Sequence, residues 1–332
     1  RPFYLNIDQK GNQRWCRSFE INGMLLEPVA ITETDDAHFL VAGTLGNLAS
    51  EGLSIAKIHA DGTVKWVKQY FKFSNPFTSY YPSKILVKGN DVYVACETVV
   101  YTGPSSQQNI YGNLMKLDYT TGATRWNKSI LVNNSFVNPR DLAFYNDGLV
   151  MNAFATTGVV NPVTTLIHLD TSGTPLWAKT LSTPPFFNVL TSNTKLHPLN
   201  NGDWYITSFG AQPLNLQPYS FAYSFFIKTD AQFNLKWAKE YSRFFNSPLP
   251  YTTVGAKDAI TGLGKEFGFG IEAYTSATSK ITLLKIDSSG KDPNGVYCEI
   301  TNIDIFFTNQ TVSNNLFIWD NETTAAGVLK PD

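Results

Sequence analysis

Sulfur and imidazole are scarce in this chain of 332 residues: three cysteines, three methionines and four histidines. Cys16, Cys96 and Cys298 form no Cys-x-x-Cys pair, so a zinc ribbon and a dithiol redox motif are excluded, and at least one thiol has no intramolecular partner. Cys16 and Cys298 fall on the expected last strands of their units, where a closing ring would let them approach. Three small buried thiols is the plainer reading. His38, His59, His168 and His197 lie in different strands without His-x-His or His-Glu-x-x-His spacing, so they read as ordinary strand residues and no metal site is expected from them. Excess charge is also missing. A net charge of −1 argues against a nucleic-acid binder, which normally carries a basic surface. No apolar run approaches the ~20 residues of a membrane-spanning helix. No Gly-x-Ser-x-Gly elbow, Walker loop or dinucleotide turn occurs. The glycine-rich "GLGKEFGFG" (262–270) lies at the turn of a strand pair, where no helix follows to cradle a phosphate. A secretory signal is absent too, and the chain opens inside a strand at "RPFYLNID", as a processed or trimmed product would.

What the chain has in abundance is a phrase. "KIHADGTVKW" (57–66), "KLDYTTGATRW" (116–126), "HLDTSGTPLW" (168–177) and "KTDAQFNLKW" (228–237) repeat one pattern, a fifth copy is "NIDQKGNQRW" (6–15), and "KIDSSGKDPNGVYC" (285–298) is a degraded sixth without the tryptophan. Each reads as strand, tight turn, strand. Asp118, Asp170 and Asp230 can accept backbone N–H bonds within the turn, and Gly62, Gly122 and Gly173 supply its positive φ. Asn234 fills a neighbouring slot in the fourth copy, and Asn tolerates that conformation. Trp15, Trp66, Trp126, Trp177 and Trp237 sit on the return strands, at steps of 51, 60, 51 and 60 residues.

Before each hairpin comes a second strand pair with its own turn, as in "AITETDDAHFLVAG" (30–43), "KILVKGNDVYVAC" (84–96), "DLAFYNDGLVMNAF" (141–154) and "KLHPLNNGDWYITSF" (195–209). Two hairpins per unit make four strands, and a repeat of that size and content predicts an all-β fold, a single β-propeller over 1–332. Five four-stranded antiparallel blades are expected at 27–70, 83–130, 138–182, 190–242 and 252–298. A sixth would close the ring by joining the tail, 301–325, to the opening hairpin, 3–19, because shared pairing removes edge strands. Five blades plus an appended piece is the alternative.

The wording Asp-x-x-x-Gly-x-x-x-Trp resembles the tryptophan-docking repeat of pyrroloquinoline-quinone (PQQ) dehydrogenases and of the propeller lipoprotein of outer-membrane barrel assembly. The longer unit 15–70, with "WVKQY", "WNKSI", "WAKTL" and "WAKEY" at corresponding places, is similar to repeats of bacterial secreted and surface proteins exported by type IX secretion. That resemblance covers about nine-tenths of the chain. It implies a secreted or cell-surface location beyond the inner membrane and carries no activity with it. The quinoprotein enzymes have a vicinal Cys-Cys pair and eight blades, and this chain has neither, so no quinone or other cofactor is expected.

Propeller topology would place the short Asp turns on one face and the longer connections on the other. Those connections are aromatic: "YFKFSNPFTSYYP" (70–82), "YTGPSSQQNIYG" (101–112), "STPPFFNVL" (182–190), "GAQPLNLQPYSFAYS" (210–224) and "SRFFNSPLPY" (242–251). Phe73, Phe77, Tyr80, Tyr81, Tyr101, Tyr111, Phe186, Phe187, Tyr219, Tyr223, Phe244 and Tyr251 are therefore the expected binding residues, able to stack on sugars or anchor a protein partner. The competing reading of several of these rings is packing between blades. Asp287, Asp292 and Asn294 form a weak calcium candidate, with an enlarged hairpin turn as the simpler explanation. No catalytic residue is assigned. Asp141, Glu97, Glu272 and Asp258 lie near strands, but spacing alone does not bring any two together. Sequons stand at Asn127, Asn133, Asn309 and Asn321. The first functional expectation is a non-enzymatic module that binds a protein or glycan. A polysaccharide lyase or hydrolase with a site in the central funnel, and a purely structural part of a surface assembly, are the alternatives.

Overall fold

The computed structural model describes residues 4–8, 10, 12–21, 24–45, 52–71, 78–101, 108–155, 163–182, 194–212, 221–242, 253–261, 267–274, 279–286, 289–291, 299–302, 306–316, 321–324 and 327–331. Among them every regular element is a β-strand and every registered pair is antiparallel. No helix among them is long and apolar enough to cross a membrane. The chain divides into two compact units: Arg1–Leu131, Phe136–Pro139 and Asn314–Asp332 in the first, Val132–Ser135 and Arg140–Ser313 in the second.

In the first unit a hairpin of β1 (Tyr4–Ile7) and β2 (Gln13–Ile21) precedes β3 (Met24–Glu33), β4 (His38–Leu45), β5 (Leu53–His59) and β6 (Val64–Phe71), which pair in chain order. The next four strands repeat the pattern: β7 (Thr78–Lys88), β8 (Asp91–Tyr101), β9 (Gln108–Asp118) and β10 (Thr124–Val132). The second unit continues it with β11 (Ser135–Tyr145), β12 (Gly148–Ala155), β13 (Val163–Leu169) and β14 (Pro175–Ser182), then β15 (Lys195–Pro198), β16 (Trp204–Gln212), β17 (Phe221–Thr229) and β18 (Leu235–Ser242). A three-stranded sheet follows, of β19 (Thr253–Thr261), β20 (Phe267–Tyr274) and β21 (Ser279–Ile286). Within 27–70, 83–130, 138–182 and 190–242 the described strands pair antiparallel in chain order.

The turns work by the expected chemistry. Asp118 Oδ1 accepts from the backbone N–H of Thr120 and Thr121, each at 2.9 Å, and Asp170 Oδ1 from Ser172 and Thr174 at 2.8 and 2.9 Å. Gly62, Gly122 and Gly173 hold φ of 92°, 72° and 77°. In the fourth copy the left-handed residue is not Asn234 but Phe233, at φ 60°. Asn234 instead donates its N–H to Asp230 Oδ1 at 2.8 Å. A phenylalanine is held in this costly conformation by burial. Its ring is fully covered and lies 5.0 Å from Trp204, 5.4 Å from Trp177 and 5.5 Å from Tyr145.

That contact is one case of a repeated device, in which the tryptophan of one hairpin rests on the Asp turn of the next. Trp15 Nε1 donates to Ala60 O at 2.9 Å, and Trp66 Nε1 to Tyr119 O at 3.2 Å. A Cβ on Gly122 would lie 2.7 Å from Lys68 Cγ and 2.9 Å from the Trp66 ring; one on Gly290 would lie 2.8 Å from Trp237 and 3.0 Å from Lys239 Cδ. Glycine is therefore required twice over at Gly122, by its dihedral and by its neighbour. The basic residue two places after the tryptophan joins in: Lys179 Nζ donates to Gln232 O at 2.9 Å. The "Trp-x-Lys" wording is a docking unit.

The tail departs from expectation. Rather than joining 3–19 as one shared group of strands, its segments lie one by one on the last strand of each sheet. In the second unit β22 (Glu299–Asn302) pairs with β18 and β23 (Phe306–Gln310) with β14. Further on, β24 (Val312–Leu316) pairs with β10, β25 (Asn321–Thr324) with β6 and β26 (Gly327–Pro331) with β2. Among the described residues of the tail, it is this final segment, beyond 301–325, that pairs with the opening hairpin. The physical reason is edge satisfaction: each tryptophan-bearing strand has an outer edge to fill, and a short strand fills it.

Among the described residues three apolar clusters stand out. In the first unit one lies between the opening hairpin and β4–β6, with Phe19, Ile21, Val41, Ala56 and Val67. A second lies between β3–β6 and β7–β10, with Leu40, Ile55, Tyr70, Ile85, Val94 and Met115. In the second unit Val150, Leu166, Trp204, Phe225 and Phe233 form the third. Cys96 is buried, and burial pushes its thiol far up from the ordinary range; Cys16 is half-buried. Cys298 lies outside the described residues.

Candidate functional site

The aromatic connections are where sequence reasoning places a site, and strands reach further into them than expected: Tyr80 and Tyr81 belong to β7, Tyr101 to β8, Tyr111 to β9 and Tyr223 to β17. Tyr80 is 2 % exposed and packs in the core with Ile85 and Val94, so its ring is not displayed. Strand alternation explains this, since neighbours in a strand point to opposite faces. Tyr81, next in line, is 48 % exposed and sits opposite Glu97. Tyr111 is half-buried and packs on Phe136 with centroids 4.4 Å apart, a partner that sequence spacing did not single out. Gly112 makes that contact possible, because a Cβ there would lie 1.9 Å from Val137 O.

Beneath this end runs a buried polar row. Asn113 Nδ2 donates to Thr98 Oγ1 at 2.7 Å, and Ser129 Oγ donates to Asn113 Oδ1 at 2.8 Å. The row locks the three strands in register and supplies no reactive group. Asn127, one of the sequon residues, is 2 % exposed, and neither end of its amide has a partner, so glycosylation of the folded chain is ruled out there. Phe73, Phe77, Phe186, Phe187, Tyr219, Phe244 and Tyr251 lie outside the described residues, as do Asp287, Asp292 and Asn294 and the side chains of Tyr101 and Tyr223.

Around the turn between β3 and β4 lies a charged cluster. Asp36 accepts from Thr34 Oγ1 at 2.5 Å, from the Tyr119 hydroxyl, and from Lys57 Nζ at 3.3 Å; that ammonium sits 3.4 Å from the centroid of the Tyr119 ring. Burial pushes the Asp36 carboxyl up, but the three donors outweigh it and hold the group well below the usual carboxylate range. A carboxylate so occupied cannot act as a general base near neutral pH. Beside it the rings of His38 and His59 meet edge-on at 4.9 Å, a pair created by strand register and invisible in sequence spacing. No group of three or more His, Cys, Asp or Glu among the described residues could hold a metal ion. His168 packs against Tyr145 and Trp177, and burial lowers its pKa; His197 meets Thr207 at 3.3 Å. In the second unit Asp141 is buried and accepts from Leu196 N at 2.7 Å, a structural use. The backbones of Asp258 and Glu272 lie on β19 and β20.

No family model and no curated protein matches this chain. Among solved structures, a candidate hydrolase from Bacteroides ovatus aligns over 87 % of both chains with 11 % identity and a TM-score of 0.41. A likeness of that size carries no argument about fold or chemistry.

Proposed function

We propose that this protein is a secreted or cell-surface β-propeller that binds a protein or glycan partner through its aromatic end and makes no bond. The family reading, a type IX secretion substrate with PQQ-like hairpin repeats, belongs to the same proposal. The docking of Trp15, Trp66, Trp177 and Trp237 on the turn of the following hairpin, together with runs of four strands paired in chain order, supports the propeller. The observation that carries the binding reading is the exposed Tyr81 on the sheet end that also bears the Tyr111–Phe136 stack. Aromatic faces set on a rigid sheet recognise sugars and apolar side chains at little entropic cost. A glycan array and a surface pull-down test it, with Tyr81→Ala as the variant. Loss of the captured partner at unchanged thermal unfolding is the expected result. Capture unaffected by Tyr81→Ala and Tyr111→Ala together would contradict it.

A further inference from the structure

Where the second and third strands of a sheet meet the Asp turns, register sets two side chains opposite each other. In β8 and β9 they are Asp91 and Asp118, and Arg125 bridges them at 2.5 and 2.7 Å. In the second unit Asp203 and Asp230 flank the Trp204–Thr229 pair, and Lys236 Nζ lies 2.6 Å from Asp203. Each of these places gathers a cationic side chain. In β4 and β5 the same place holds His38 and His59. Its basic residue is Lys65, which precedes Trp66 as Arg125 precedes Trp126 and Lys236 precedes Trp237. Lys65 is exposed and has no ion pair or hydrogen bond among the described residues, so it does not bridge the two rings.

The two imidazoles are held alike. His38 Nδ1 lies 2.9 Å from Asp36 O, an atom that can only accept, so Nδ1 carries the proton. His59 Nδ1 lies 3.0 Å from Asp61 Oδ1, nearer than the Asp61 backbone N–H at 3.4 Å, and the carboxylate again calls for a proton on Nδ1. In each neutral ring the lone pair is then on Nε2. Neither Nε2 has a partner among the described residues, and neither is shut away from water. An oxygen acceptor fixing one ring nitrogen while the other stays free is how histidine is set to ligate a metal. The spacing fits as well. Two imidazoles on one ion, each at about 2.0–2.1 Å, have ring centroids roughly 4.5–5.2 Å apart. Those of His38 and His59 are 4.9 Å apart. Lys57, the nearest ammonium, is committed to Asp36 at 3.3 Å. Imidazole suits zinc, nickel and copper, whereas calcium and magnesium ask for oxygen. Two protein ligands fall short of a closed structural site, so water must fill the remaining positions.

We propose that His38 and His59 together bind a divalent transition-metal ion of the zinc class, one Nε2 each, with water completing its shell. The pair lies apart from the Tyr81 and Tyr111 rings, and the proposal does not depend on the binding reading. The probe is Zn²⁺ alone, titrated calorimetrically into the untagged full chain in a buffer free of phosphate and chelators. Saturable binding below about 1 mM is expected. Saturating Zn²⁺ should also raise Tm by about 2 °C or more, since Ala60, next to His59, carries the Trp15 dock. His38→Asn and His59→Asn should each weaken binding about tenfold or more. Asparagine is close in shape to the aspartates that stand at these places in the sister sheet, so both variants should fold. His197→Asn, in the second unit, should leave binding unchanged. Nitrogen NMR should show the Nε2 signals of His38 and His59 moving together through the titration. No saturable binding up to about 1 mM, undiminished binding in either histidine variant, or Nε2 signals that stay in place would overturn the proposal.

Discussion

Phe233 offers a sharp test of how the repeat is held together. It stands where sister hairpins have glycine, at φ 60°, with its side chain fully buried against Trp204, Trp177 and Tyr145. Two terms oppose each other. The left-handed conformation costs a residue with a Cβ about 1–2 kcal/mol, while removing a buried phenylalanine ring costs about 3–5 kcal/mol. Burial wins, so Phe233→Ala should be destabilising by about 3–5 kcal/mol. Phe233→Gly removes the same ring but also removes the strain. Glycine is normally the worse residue in ordered structure by about 0.5–1 kcal/mol. Here relief of the left-handed penalty exceeds that cost, so the glycine variant should be the more stable of the two by about 0.5–1 kcal/mol. Urea unfolding followed by tryptophan fluorescence reads the difference directly, provided both transitions share one slope. If Phe233→Ala proves as stable as Phe233→Gly or more so, the backbone is not strained there and the argument fails.

Other consequences follow from the same contacts. Gly122→Ala places a methyl group against Lys68 and Trp66 at a positive φ, and should lower stability by about 1–3 kcal/mol in the same assay. Arg125, followed by the N–H groups of Thr121 and Thr120, holds the Asp118 carboxyl down at about 2 although burial opposes it. A depressed carboxylate stabilises the fold above its unfolded pKa of about 3.9 and loses that contribution as pH falls toward 2. Asp118→Asn should therefore be less stable than the parent at neutral pH, with the gap closing between about pH 4 and 2; a gap constant with pH would contradict it. Asp203, 9 % exposed, accepts from Lys236 Nζ at 2.6 and 2.7 Å, and Asp203→Asn should cost about 1.5–3 kcal/mol by urea unfolding. Removal of residues 327–332 bares the β2 edge from Arg17 to Ile21, and light scattering should show faster aggregation than in the full chain.

Local order was the legible part. Asp118, Asp170, Gly122 and Gly173 announce their turns because a turn is built from neighbours in sequence, and alternation of Val, Leu and Ile announces the strands. The partners of those strands across long separations were not announced. "IDIFFTNQTV" and "NNLFIWDNET" each contain good strand residues, and nothing local says that they will line up against β14, β10 and β6 rather than with the opening hairpin. Phe233 was missed for a related reason. A positive φ at phenylalanine is affordable only through Trp204 and Tyr145, which are distant in sequence. Tyr80 read as a displayed ring because its loop looked long; register turned it inward and left Tyr81 outside.

The claim on which the functional proposal depends is that the tryptophan-docked sheets circle one axis and present their aromatic ends together. A crystal structure of the full chain tests it most directly. The account expects each sheet packed face to face on the next around a central channel, with Tyr81 and the Tyr111–Phe136 stack at the rim of one end. Sheets stacked in an open row, or these rings on opposite sides of the molecule, would contradict it.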